Sequence, residues 1–140
     1  MTEVLDLLAE RTEAIRAGHL ESTGDCWQPT DWRERIHAQF PAILKAPWGI
    51  ECGAGWADLI IATCDILSHT PEPPTLTDVK EKFGTLRIYS RSVQSMDDQI
   101  IDAAETLSGR ICERCGAPGE RRPGGWISTL CDAHFEERRL

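Results

Sequence analysis

No stretch of this sequence stays apolar long enough to cross a bilayer. The longest such run, LIIATC at residues 59–64, covers six positions, where a spanning helix needs roughly twenty. The opening segment, MTEVLDLLAERTEAIR, carries acids where a secretory leader needs a basic start and an apolar block. The expectation is a soluble, cytoplasmic protein with no membrane partner. A cationic excess is also lacking. Fifteen Lys and Arg stand against 23 Asp and Glu, a formal net charge of −8, which disfavours non-specific binding of the whole chain to nucleic acid. KEKFG at residues 80–84 lacks the glycine run and the Lys-Ser/Thr ending of a phosphate-cradling loop, and reads as a helix end and turn. No internal repeat is visible, and no nucleophile–base pair or paired-carboxylate site can be defended from spacing, so no enzymatic activity is expected.

What the chain does have is an uneven distribution of charge and cysteine. Residues 1–109 hold nine basic and eighteen acidic side chains, a net of −9, and residues 110–140 hold six arginines and five acids, a net of +1. Of the six cysteines, Cys26, Cys52 and Cys64 are scattered, whereas Cys112, Cys115 and Cys131 gather at one end with His134. Without an export signal, clustered cysteines beside a histidine point to metal ligation before disulfides. The 140 residues therefore divide into an acidic body, 1–109, and a metal-binding segment, 110–140.

The body reads as α+β, mainly helical with a small sheet. Val4, Leu5, Leu8 and Ile15, widened by Leu7, repeat with helical period, and Gly18 is a natural stop. Asp31 and Glu34 form a candidate capping pair for a second helix carrying Trp32, Ile36 and Phe40, ended by Pro41. KAPWGIECGAG reads as a glycine-rich loop or short extended piece. In GWADLIIATCDILSH, Trp56, Leu59, Ile60, Cys64 and Leu67 form an inward stripe. The prolines of TPEPPT suit a stiff linker. From Thr85, Leu86 and Ile88 alternate with polar neighbours as a half-buried strand. Ser95 and Asp98 suggest a capping box for a fourth helix with Ile100, Ile101, Ala104 and Leu107 inward and Gly109 as its stop.

Cys112-x2-Cys115, fifteen residues, then Cys131-x2-His134 is the spacing of a tetrahedral site for one structural zinc ion: each pair grips one face, and thiolate and imidazole both suit zinc. Gly116 fits a tight knuckle, Pro123 and Gly124 a turn between two short strands, and CDAHFEERRL a terminal helix. That order is a treble clef, and a zinc ribbon is the competing arrangement. Leu130 and Phe135 are placed to cover the metal. Four strong ligands leave no position for water, and the hairpin lacks the extra histidine of a nuclease built on this frame; His19, His37 and His69 lie upstream. Candidates for partner contact are Trp27 and Trp48, which lie in loops, and acids such as Asp97 and Asp98, whereas Trp32 and Trp56 belong to the core. Arg121 and Arg122 would touch phosphate if the zinc segment bound nucleic acid. Otherwise the arginines of this segment pair with Glu113, Glu120, Glu136 and Glu137.

GIECGAGWADLI, VKEKFGTLRIY, LSGRICERCGAPG and GGWISTLCDAH, in that order, resemble a group of small proteins encoded by bacteriophages and prophages, over about Trp48 to His134. The resemblance implies a phage origin and a zinc site and carries no catalytic residue. The expected function is a non-enzymatic interaction protein that binds a host or phage protein, as an inhibitor of a host factor or defence complex. A nucleic-acid-binding regulator using Arg121 and Arg122 is the alternative.

Overall fold

The computed structural model describes residues 2–23, 29–45, 49–91 and 94–139. They form an α+β protein of five helices, α1 (Thr2–Thr23), α2 (Trp32–Gln39), α3 (Ala57–Ser68), α4 (Ser95–Ser108) and α5 (Asp132–Arg139), with strands β1 (Ile50–Glu51), β2 (Thr75–Lys82), β3 (Thr85–Arg91), β4 (Glu120–Arg122) and β5 (Ser128–Leu130). No helix among them is long and apolar enough to cross a membrane. Trp27, Trp48 and Cys26 lie outside the described residues.

The third helical stripe is the centre of the core. Trp56, Leu59, Cys64 and Leu67 are fully buried and Ile60 nearly so. α1 lies against α3 and α4, and α4 against β3. On α2, Trp32, Ile36 and the following Phe40 are buried as expected. Arg33 stacks on Trp32 and reaches the carbonyls of Ile50 and Cys52 at 3.1 and 2.7 Å, which fixes β1 beside α2.

Several local expectations are corrected. α1 runs through Gly18, where an added Cβ would meet nothing within 4 Å; one glycine costs a helix less than α1 gains by packing. On α1, Leu8 is the fully buried side chain among the described residues, and Leu7 is exposed. Asp31 makes no side-chain cap among the described residues; its Oδ1 accepts from Arg35 Nε at 2.9 Å instead. Ser95 is the first residue inside α4, the extended Gln94 precedes it, and among the described residues no side-chain cap hydrogen bond is made there. The residues after TPEPPT do not end a helix at KEKFG. They form strand β2, parallel to β1 (Ile50↔Val79) and antiparallel to β3 (Val79↔Ile88, Lys82↔Thr85). KEKFG is therefore a strand end and hairpin turn, with Phe83 at φ 54 and Gly84 at φ 85.

The outer edge of β3 would otherwise present unpaired N–H groups. α4 covers it with side chains: Leu86 N–H donates to Ser108 Oγ at 2.8 Å and Ile88 N–H to Glu105 Oε2 at 2.9 Å. Burial raises the Glu105 carboxyl above its ordinary value, against the opposing pull of that N–H. A carboxyl raised on folding binds protons more readily when folded. Its contribution to stability therefore falls as pH rises from the unfolded value, 4.5, through the folded one. Glu105→Gln keeps an acceptor for Ile88 N–H and cannot ionise. Urea titrations of this variant at pH 4.5, 5.5 and 7 are expected to show a flatter pH profile than wild type, with no loss of stability at pH 7.

Candidate metal centre

Cys112 and Cys115 sit on a tight turn closed by Gly116 N–H to Cys112 C=O (2.9 Å) and Cys112 N–H to Ala117 C=O (2.7 Å). Gly116 takes φ 82, a left-handed backbone that a side chain would strain. β4 and β5 then form a hairpin (Arg121↔Thr129) whose turn includes Gly124 at φ 134. Cys131 directly precedes α5, and its carbonyl accepts from Phe135 N–H at 2.9 Å. One helical turn therefore brings His134 back beside it.

The ligating atoms of Cys112, Cys115, Cys131 and His134 all lie within 4.8 Å of one another. The three cysteines are free thiols. Cys115 Sγ and Cys131 Sγ are 3.8 Å apart, and His134 Nδ1 is 3.5 Å from Cys112 Sγ and 3.3 Å from Cys131 Sγ. Metal–sulfur bonds of about 2.3 Å and metal–nitrogen bonds of about 2.0 Å make a tetrahedron with edges of about 3.8 Å between sulfurs and about 3.5 Å between sulfur and nitrogen. The cluster thus has the size of a four-coordinate site and can hold one metal ion. On the far side of the imidazole, Nε2 faces Glu137 Oε2 at 3.8 Å, the side from which a carboxylate orients a ligating histidine. Cys112, Cys115 and Leu130 are buried together, with Ala117, Cys131 and Phe135 packed around them.

The thiols differ in acidity. Burial, reinforced by neighbouring Cys112 and Cys131, pushes Cys115 up to about 12. For Cys131 burial acts in the same direction but is outweighed by the N–H groups of His134 and Ala133 and by the other two thiols, so it is lowered. Three thiolates in one buried spot repel one another, and a bound cation is what allows all of them to ionise.

Among the described residues, hydrogen bonds join the site to the body at two places. In the 3₁₀ turn Ala54–Trp56, Gly55 N–H donates to Glu113 C=O at 2.7 Å, and Trp56 Nε1–H to Ile111 C=O at 2.8 Å. Just before it, Gly53 N–H donates to Glu113 Oε2 at 2.8 Å, and burial raises that carboxyl above its usual range. Glu113 thus holds Gly53, in place of the arginine expected for it. A Cβ on Gly55 would stand 2.1 Å from Cys112 O, so glycine is required by close approach. At the second place, the β2–β3 turn meets the β4–β5 hairpin: Arg121 Nε and Nη2 donate to Phe83 C=O at 2.9 and 2.7 Å, and Thr129 Oγ1–H donates to Gly84 C=O at 2.5 Å. None of these contacts was predicted from the sequence. The pairing of small residues with a tryptophan in CGAGW was the one signal that could have suggested the first.

The chain matches no protein family, no curated protein and no solved structure.

Trp32 and Trp56 are core residues. Asp97 is fully buried in the first turn of α4, with Gln94 Nε2–H donating to its Oδ2 at 3.3 Å, whereas Asp98 is exposed. Asp97 is therefore corrected from a surface contact to an interior residue. Arg121 is engaged with Phe83. Arg122 stacks on Phe135 and binds Asp132 Oδ1 and Leu130 C=O at 2.7 and 3.1 Å, with Glu120 at 3.4 Å. Arg139 pairs with Glu136 and Arg114 with Glu137.

Cys52 and Cys64 are buried free thiols, as expected. Burial pushes Cys64 up to about 12 and also raises Cys52. The thiolate is the reactive form, so iodoacetamide is expected to leave both unlabelled in the folded protein and to label them once denaturant is added. Peptide mapping by mass spectrometry reads the difference.

Proposed function

We propose that residues 110–139 hold one structural zinc ion in a treble clef, and that the protein acts without catalysis, by binding another protein. The observation that carries the zinc reading is the Cys3His set at tetrahedral spacing. Four strong ligands complete zinc's preferred coordination and leave no open position for water, and the softness of three thiolates favours zinc over magnesium or calcium. The order of knuckle, hairpin and helix, with Cys131 and His134 at the start of the helix, supports a treble clef over a ribbon, in which a second knuckle would carry the last pair.

Engagement of the arginines favours a protein partner over nucleic acid. Arg121 and Arg122 each already give two N–H donors to carbonyls or a carboxylate within the chain, and the overall charge is −8. With the phage-type resemblance, the partner is a host or phage protein in the host cytoplasm, and blocking a host factor or defence complex is the corresponding role. The test pairs affinity capture, with zinc-loaded protein and the Cys112→Ser, Cys115→Ser double variant as baits, with a salt titration on single-stranded DNA. A protein captured by the loaded form and lost with the variant is expected. DNA binding that weakens steeply with salt and disappears on Arg121→Glu, Arg122→Glu would instead establish the nucleic-acid reading.

A further inference from the structure

The three thiols of the metal centre are not equally sheltered. Cys112 is 0% and Cys115 6% exposed, whereas Cys131 is only half-buried. Their backbones differ in the same way. Cys112 is pinned by both knuckle hydrogen bonds, through its N–H and its C=O. Cys131 belongs to no strand or helix; it is the connection between β5 and α5, and the next two residues, Asp132 and Ala133, are exposed. Cys52 and Cys64 are buried in the core. Among the described cysteines, a small polar reagent from solvent therefore meets Cys131 first.

The sulfur in contact with that entry point is Cys115 Sγ, 3.8 Å from Cys131 Sγ. A disulfide bond is about 2.05 Å long, so the two must approach by about 1.8 Å, and the connecting segment at Cys131 can supply that movement. A metal-bound sulfur is a thiolate, the form that peroxides oxidise. Joining Cys115 to Cys131 removes two of the four ligands at once. Cys112 and His134 alone fall short of the four that a structural zinc site needs. The bond would also close a loop across the sixteen positions between the two cysteines, which contain β4 and β5. A cross-link of that kind restrains the hairpin after the ion has left.

We propose that the Cys3His centre is a peroxide-sensitive switch, with Cys131 as the sulfur oxidised first and Cys115 as the sulfur that resolves it into a disulfide. The Cys131 thiolate attacks an oxygen of a hydroperoxide. The O–O bond breaks, the alkoxide or hydroxide leaves and takes up a proton, and Cys131 becomes a sulfenic acid. The Cys115 thiolate then attacks that sulfur, forming the S–S bond and expelling hydroxide, which leaves as water after protonation. The two thiolates together lose two electrons, and the hydroperoxide gains them. The proposal rests on the zinc reading above and adds the condition under which the site opens.

The test treats zinc-loaded full-length protein with excess hydrogen peroxide. Free zinc is followed with a fluorescent indicator, and disulfides by non-reducing peptide mapping. Loss of the zinc in step with appearance of a Cys115–Cys131 disulfide is expected, with Cys52 and Cys64 still reduced. Reductant followed by zinc should restore the loaded form. With dimedone present, the first sulfenic acid trapped should be at Cys131. Cys131→His keeps four zinc-binding side chains but cannot make this bond, so its zinc should stay bound under the same treatment. Retention of zinc by treated wild type, a first disulfide between Cys112 and Cys115, or first trapping at Cys112 or Cys115 would each overturn the proposal. Release from Cys131→His as fast as from wild type would overturn it too. Mapping and trapping use the wild type, so they decide the matter even where Cys131→His takes up no metal. A wild type that binds no zinc before oxidant is added would instead refute the zinc reading, and the proposal with it.

Discussion

Gly55→Ala is expected to separate the metal segment from the body without removing a single ligand. The added methyl would lie 2.1 Å from Cys112 O and 2.5 Å from the carbonyl carbon and oxygen of Glu113. All three are backbone atoms and cannot swing aside, so the knuckle must move by more than about 1 Å to reach ordinary van der Waals contact. That movement breaks the hydrogen bonds from Gly55, Gly53 and Trp56 to residues 111–113. At about 1 kcal/mol for each bond, with Trp56 Nε1–H left buried and unpaired, the expected loss is about 3–5 kcal/mol. Denaturant titration measures the loss, and hydrogen exchange at the Trp56 indole should accelerate while bound metal remains. Gly18→Ala is the control from the same residue type. Nothing lies within 4 Å of its added methyl and the site is helical, so a gain of about 0.5–1 kcal/mol is expected.

Removal of the metal is expected to have the larger effect. Six residues, Cys112, Cys115 and Leu130 with Ala117, Cys131 and Phe135, make up the apolar cluster around the site, too little to order a segment of this length unaided. Structural zinc supplies on the order of 10 kcal/mol at neutral pH in such modules. Chelation should therefore abolish amide protection in β4, β5 and α5. The amides of α3 and α4 should stay protected but exchange faster, because Trp56 and the β2–β3 turn lose their contacts with the segment. Equal loss of protection in all five elements would contradict this division and make the metal a support of the whole core.

The sequence was legible where one physical rule acted alone. α3 could be read because an uninterrupted apolar stripe, Trp56 to Leu67, obeys one period. The ligand set was legible because metal geometry constrains spacing within a few residues. β2 was not, and the pairing shows why. A register irregularity between Leu76 and Asp78 places the two buried residues, Leu76 and Val79, three positions apart where an unbroken strand would put them two apart. Gly18 misled because tertiary packing overrides a single weak helix former. The caps misled because Asp31 had a better partner in Arg35. The docking of CGAGW on the knuckle joins residues about sixty positions apart, and periodicity carries no information at that distance.

Cys112, Cys115, Cys131 and His134 are proposed to close around one zinc ion that holds residues 110–139 in place. The most direct test of that closure is metal content by inductively coupled plasma mass spectrometry, on protein purified without added metal, beside Cys112→Ser, Cys115→Ser, Cys131→Ser and His134→Ala. One zinc per chain in wild type is predicted, with a substoichiometric or empty site in each variant. A metal-free wild type with intact protection in β4, β5 and α5, or undiminished zinc in the four variants, would contradict it.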